Sequence, residues 1–161
     1  MVDIVENKTR SRMMSGIRGK DTNPELLVRK ALFRRGFRYR LHLADLPGKP
    51  DLVFQKYKAI ILINGCFWHG HMCHLFKWPK SHTFFWKNKI NATILRDQKN
   101  HFHYKRNGYK TLVVWECALK GKYRYDFSQL IDMIEKWLIF STEDMVIPSN
   151  TITSPPQIQS D

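Results

Sequence analysis

Between Gly65 and Cys73 the chain crowds Cys66, Phe67, Trp68, His69, His71 and Cys73 together, and the third cysteine, Cys117, closes the run Val113-Val114-Trp115-Glu116-Cys117. Three thiolates and one imidazole make the donor set of a closed structural zinc site. Cys66, His71, Cys73 and Cys117 are the expected ligands, a set that uses every cysteine in the chain. Such a site would clamp the long loop 64–80 to the end of a distant strand. The C-x4-H-x-C spacing is not that of a standard zinc finger, so His69 and His74 stand as alternative ligands, with His69 replacing His71 in the second arrangement. Buried free thiols beside exposed histidines would be the purely structural explanation.

A second chemistry is suggested upstream. Asp51 follows Pro50 and opens the short apolar segment Leu52-Val53-Phe54. A carboxylate at the mouth of a β-hairpin is where a hard cation such as magnesium can be held, with waters able to attack phosphorus. Pro-Asp alone is a common pair. It gains weight because the following strand should bring Ile63, Asn64 and His69 to the same sheet edge. The imidazole of His69 could take a proton from the attacking water; the alternative is a loop histidine with no partner. Phe67 and Trp68 are either core or a wedge pushed between base pairs, and Trp86 could join them.

These residues need elements to position them. Thr22-Asn23-Pro24-Glu25 before Leu26-Leu27 has the form of a capping box with proline in the first turn, predicting a helix that runs through Phe33 and stops at Gly36. In that reading Glu25 caps its helix. Phe37 to Leu43 alternates apolar and basic residues and predicts a strand. Leu46-Pro47-Gly48-Lys49-Pro50 is a turn that delivers Asp51 into the strand 52–54, and Gln55 to Lys58 connects a hairpin. Ala59-Ile60-Ile61-Leu62-Ile63 is continuously apolar, as in a central strand covered on both faces. Ser81 to about Arg106 reads as a helix broken near Asn91-Ala92, Tyr109 to Trp115 as a strand, and Phe127 to Ile139 as a helix with one apolar face. After Ser141 the chain is rich in Ser, Thr, Pro and Asn and predicts a mobile tail. Helix, strands, helix, strand, helix is the order of a mixed α/β sandwich.

Composition narrows the partners. The 161 residues are 43% hydrophobic and 13% aromatic, enough for one folded domain. With 27 Lys and Arg against 14 Asp and Glu the formal charge is +13, which points to a polyanion, most simply nucleic acid. The basic residues are spread along the chain rather than massed on one amphipathic helix, against a membrane surface. Asn7 to Arg18 is basic around Met13 and Met14, either an arm lying on DNA or an ordinary helix with core methionines. The first residues lack a basic start and an apolar core, so a cytoplasmic location is expected.

Thr9-Arg10-Ser11, Asp21-Thr22, Leu46-Pro47-Gly48-x-Pro50-Asp51, Gly65-Cys66-Phe67-Trp68-His69, Phe84-Phe85-Trp86 and Val114-Trp115-Glu116-Cys117-Ala118-Leu119 resemble the very short patch repair (Vsr) endonucleases. The resemblance spans about residues 7–138. It implies a restriction-endonuclease-like core, a mixed central sheet flanked by helices in three layers, with a structural zinc site. It divides the chain into a DNA-contacting arm at 1–20, an endonuclease domain at 21–140 and a flexible tail at 141–161.

The activity it implies is a magnesium-dependent nick in double-stranded DNA. The nick falls 5′ to the thymine of a T:G mismatch left by deamination of 5-methylcytosine. Asp51 would hold magnesium, His69 would be the base, and Glu25 would support the site through water. Cys66, His71, Cys73 and Cys117 match the zinc ligands. Phe67, Trp68 and Trp86 match aromatics that enter the duplex, and Met14 matches a residue entering from the other groove. The implied partners are the MutL repair protein and a DNA polymerase, for a monomer that joins the nucleoid when bound to DNA.

One departure stands out. The best-studied members have Thr-His where this chain has Ile63-Asn64. Isoleucine costs little if position 63 serves the metal through its backbone carbonyl. Asn64 can orient a water but cannot titrate, so activity is expected to survive with altered rate or pH dependence. Two rivals remain: a restriction-like endonuclease of the same fold that cuts matched DNA, and a non-catalytic mismatch-binding module.

Overall fold

The computed structural model describes residues 22–150. Met14 and the arm 1–20 lie outside them.

The apolar strands form the centre of one five-stranded sheet, in the order β1-β2-β3-β4-β5. The strands are β1 (Arg40–Leu41), β2 (Leu52–Phe54), β3 (Ala59–Asn64), β4 (Lys110–Trp115) and β5 (Met145–Ile147). β2 and β3 make an antiparallel hairpin with Leu52 opposite Ile61. Its turn is a 3-10 segment, Gln55–Tyr57, closed by Lys58 at φ +48. β3 and β4 are parallel, with Ala59 beside Lys110 and Asn64 beside Trp115. Parallel neighbours require a long crossover, and the segment between them supplies the loop 65–82 and a helix.

Helices are α1 (Asn23–Arg34), α2 (Thr83–Arg106), the short α3 (Glu116–Leu119) and α4 (Phe127–Phe140). Because strand side chains alternate, the sheet has two apolar faces. Leu52, Phe54, Ala59, Ile61, Leu112 and Val114 pack with Val28 and Leu32 of α1 and Leu130, Ile131, Ile134, Trp137 and Leu138 of α4. Val53 and Ile60 face the other way, against Tyr104 of α2. Burial on both faces is what the unbroken run Ala59 to Ile63 predicts. Arg35 ties α1 to α4 through Asp132 at 2.6 Å and Glu135 at 2.7 Å. No helix among the described residues is long and apolar enough to cross a membrane.

Four local expectations are corrected. The strand expected over 37–43 shrinks to Arg40–Leu41, because His42 turns out of extended conformation at φ +47. The helix expected to break near Asn91-Ala92 runs unbroken for 24 residues; neither residue is a helix breaker, and Ile90 beside them is buried. Thr22 makes no side-chain cap bond, so no capping box forms and Glu25 is used elsewhere. Within the segment read as a mobile tail, Met145–Ile147 pairs in parallel with β4 and buries Ile147.

Candidate active site and metal centre

Asp51 sits where the turn after β1 enters β2. Gly48 at φ +75 makes that turn, and a side chain there would run into Asn100 and Tyr104. The hydroxyl of Tyr104 donates to the carbonyl of Pro47, which ties the turn to α2. The register then sets Asp51 against the end of β3, where the Ile63 N–H donates to Asp51 Oδ2 at 2.8 Å. Burial pushes the Asp51 carboxyl up to about 6; the Ile63 N–H opposes this, nearby Glu25 adds to it, and His42 and His69 oppose it. A half-buried carboxylate with one oxygen anchored by a backbone N–H is a half-satisfied anion, the state that a cation completes.

The loop after β3 turns back on itself: His69 N–H donates to Gly65 O at 3.2 Å and His71 N–H to Cys66 O at 2.8 Å. Gly70, at φ +68, lies so close to α2 that an added Cβ would meet Ile94 Cδ1 at 2.6 Å and Ile90 Cγ2 at 2.9 Å. His69 is thereby laid on α2, with Nδ1 2.6 Å from Asp97 Oδ2. His69 therefore has a partner, contrary to the bare-loop alternative. When Nδ1 carries the proton and donates to Asp97, Nε2 is left as the proton acceptor.

Asp51, Ile63, Asn64, His69 and Asp97 line one cleft of about 160 Å³. Asn64 is only 7% exposed there. Glu25 reaches the same region from the first turn of α1. Its Oε1 lies 2.8 Å from His42 Nε2 and 3.5 Å from Arg29 Nη1. Donor atoms of Glu25, His42 and Asp51 all fall within 4.8 Å of one another. Asp97 and His42 were not singled out in the sequence. An Arg-Asp pair inside a charged helix reads as a solvated face, and a histidine at a strand end carries no local mark of function.

A second cluster lies beside the cleft. Donor atoms of Cys66, His71, Cys73 and Cys117 fall within 4.8 Å of one another. Burial pushes the Cys66 and Cys117 thiols up and the His71 imidazole down. Neutral imidazole suits a soft metal, and thiols so placed would ionise only with a cation to hold them. His71 stacks on Trp115 at 4.3 Å and 11°. The Leu75 N–H donates to Cys73 Sγ at 3.4 Å, and Ser149 hydrogen-bonds Cys117. His74 lies instead against Tyr123, and His69 is held by Asp97, so neither belongs to this group. The four residues make a Cys3His group that could hold a metal ion.

Phe67, Trp68 and Trp86 pack edge to face, with centroids 5.2 to 5.8 Å apart. They belong to neither core cluster. Beside them Phe85, 56% exposed, packs edge to face on Trp86, and Lys89 Nζ stands 5.7 Å over the Trp68 ring. A half-exposed aromatic cluster with a cation above it, next to a polar cleft, has the chemistry of a base-stacking surface.

The sequence profile of the family described as "DNA mismatch endonuclease Vsr" matches residues 2–75. A type II nicking enzyme of Neisseria meningitidis serogroup A, V.NmeAIP, is 49% identical over 122 residues, which cover 76% of this chain and 87% of that protein. The DNA mismatch endonuclease Vsr of Escherichia coli is 38% identical over 138 residues, 86% of this chain and 88% of that one. V.XorIIP, a type II nicking enzyme of Xanthomonas oryzae pv. oryzae, is 41% identical over 119 residues, covering 74% and 88%.

Proposed function

This chain belongs to the Vsr family of DNA mismatch endonucleases, and we propose that it is a DNA-nicking endonuclease that cuts one strand 5′ to the thymine of a T:G mismatch. The observation that carries the proposal is the meeting, in one cleft, of the half-buried Asp51, the end of β3 and the His69–Asp97 pair.

Asp51 and the backbone carbonyl of Ile63 would hold magnesium, and the oxygen donor set suits it. Bound there, magnesium supplies Lewis-acid polarisation of the scissile phosphate and stabilises the charge that develops. The remaining work falls to side chains. His69 Nε2 takes a proton from the attacking water, Asp97 keeps the ring oriented, and Asn64 positions the water without titrating. Glu25 holds a further water beside Asp51. The water oxygen forms the new bond to phosphorus, the P–O bond to the leaving oxygen breaks, and that oxygen takes a proton from solvent.

Cys66, His71, Cys73 and Cys117 hold zinc and fix the loop that carries His69. Phe67, Trp68 and Trp86 enter the duplex beside the mismatch, with Met14 entering from the opposite groove. A wobble pair stacks less well than a matched pair, so prying there costs less, and selectivity arises partly from deformability. The fold is read as restriction-endonuclease-like, in a cytoplasmic monomer with an arm at 1–20 and an endonuclease domain that starts at 21 and runs on past 140 to include β5. The MutL repair protein and a DNA polymerase would complete the repair. The target fits the product of 5-methylcytosine deamination.

The test is strand-specific cleavage with magnesium on labelled duplexes carrying one T:G mismatch in varied contexts, beside matched controls. A single nick next to the thymine, absent from the controls, is expected. Cleavage of both strands in matched DNA would place the protein with restriction enzymes. Tight mismatch binding without cleavage would make it a binding module.

A further inference from the structure

His42 interrupts β1 in a conformation that costs free energy. Its φ of +47 puts a β-substituted residue in the left-handed region, which glycine enters freely and other residues seldom do. What the turn achieves is to swing the imidazole inward, where it is 16% exposed, onto a Glu25 side chain that is 2% exposed. Nε2 lies 2.8 Å from Glu25 Oε1, and the His42 backbone N–H donates to the carbonyl oxygen of Asp51 at 3.4 Å. One residue in a left-handed turn is thus bonded to Glu25 by its ring and to Asp51 by its backbone.

We propose that His42 is a positioning residue: it fixes the rotation of the buried Glu25 carboxylate and ties the Asp51 backbone to it, so that the two carboxylates, whose donor atoms lie within 4.8 Å of one another and of the imidazole, keep one arrangement. This rests on the nicking function proposed above. Local backbone strain persists where surrounding contacts over-determine it, and such sites cluster where geometry matters for chemistry. Glu25 is a long side chain on the first turn of a helix, and Arg29, one turn on at 3.5 Å, is a looser restraint than the imidazole. Partners that orient such groups cost about 10- to 100-fold in activity when removed.

Glycine separates the turn from the ring. His42→Gly adopts the left-handed backbone freely but has no side chain to hold Glu25. His42→Gln offers an amide N–H donor of similar reach. The single-turnover nicking rate on T:G duplex should fall about 10- to 100-fold in His42→Gly, with cooperative thermal unfolding kept and DNA affinity within about threefold of wild type. His42→Gln should recover most of the rate. A His42→Gly enzyme that nicks like wild type, or a His42→Gln enzyme as slow as the glycine variant, overturns the positioning role while leaving the nickase reading intact. A wild-type protein that fails to nick removes both.

Discussion

His69 Nδ1 lies 2.6 Å from Asp97 Oδ2, joining residues 28 positions apart in the chain. The loop that carries His69 and the helix that carries Asp97 meet because Gly70 lets the backbone lie on Ile90 and Ile94. The pairing selects the tautomer in which Nε2 accepts a proton, so the first prediction concerns it. Asp97→Asn keeps the shape but can present an N–H to Nδ1 and favour the wrong tautomer. The single-turnover rate should fall about 100-fold or more, with DNA affinity within about threefold. A rate within threefold of wild type would show that the pair is structural only.

Asp51 makes the site costly to fold without metal. In the unfolded chain its carboxyl ionises near about 4; burial holds it up to about 6 in the fold. Between those values the folded protein takes up a proton, so the contribution to stability grows as pH falls from about 6 toward 4. Well above pH 6 the half-buried charge is a penalty of roughly 3 kcal/mol. Asp51→Asn still accepts the Ile63 N–H, and it should be more stable than wild type at pH 8 in magnesium-free urea titrations without chelator. The difference should shrink toward pH 4. Magnesium should stabilise only the wild type, and nicking by Asp51→Asn should be lost. Equal stability of the two proteins across that range would refute the burial argument.

The Cys3His group predicts one zinc per chain. Titration with a thiol-reactive mercurial should release it stoichiometrically, read with a zinc indicator. Cys117→Ser should lose the metal and, with it, the clamp between the loop and the end of β4. The melting temperature should drop by roughly 10 °C or more. A metal-free protein that melts like wild type would leave the cysteines as buried thiols.

Trp68→Ala tests the aromatic cluster. Base stacking on an aromatic side chain is worth about 1–3 kcal/mol, so affinity for the T:G duplex should fall about fivefold to 100-fold, with a much smaller loss on the matched duplex. The salt dependence should be unchanged, because phosphate contacts set it. Equal losses on both duplexes would refute a wedge.

What the sequence determined by itself is what short-range pattern can encode. The continuous run Ala59 to Ile63 predicts a strand covered on both faces, and Pro50-Asp51 beside it predicts a carboxylate at the sheet edge. The close spacing of Cys66, His71 and Cys73 marks a metal group. In each case neighbouring residues carry the signal. Only the tertiary structure decided the pairings. Asp97 looks like a solvated helical charge until the loop lays His69 on it, and Glu25 looks like a helix cap until the imidazole of His42 meets its carboxylate. The segment after Ser141 has few core formers, and Met145-Val146-Ile147 among them gain a place by pairing with β4. Such outcomes depend on which surfaces meet across 17 or 28 residues, a competition among long-range contacts that local propensity does not register.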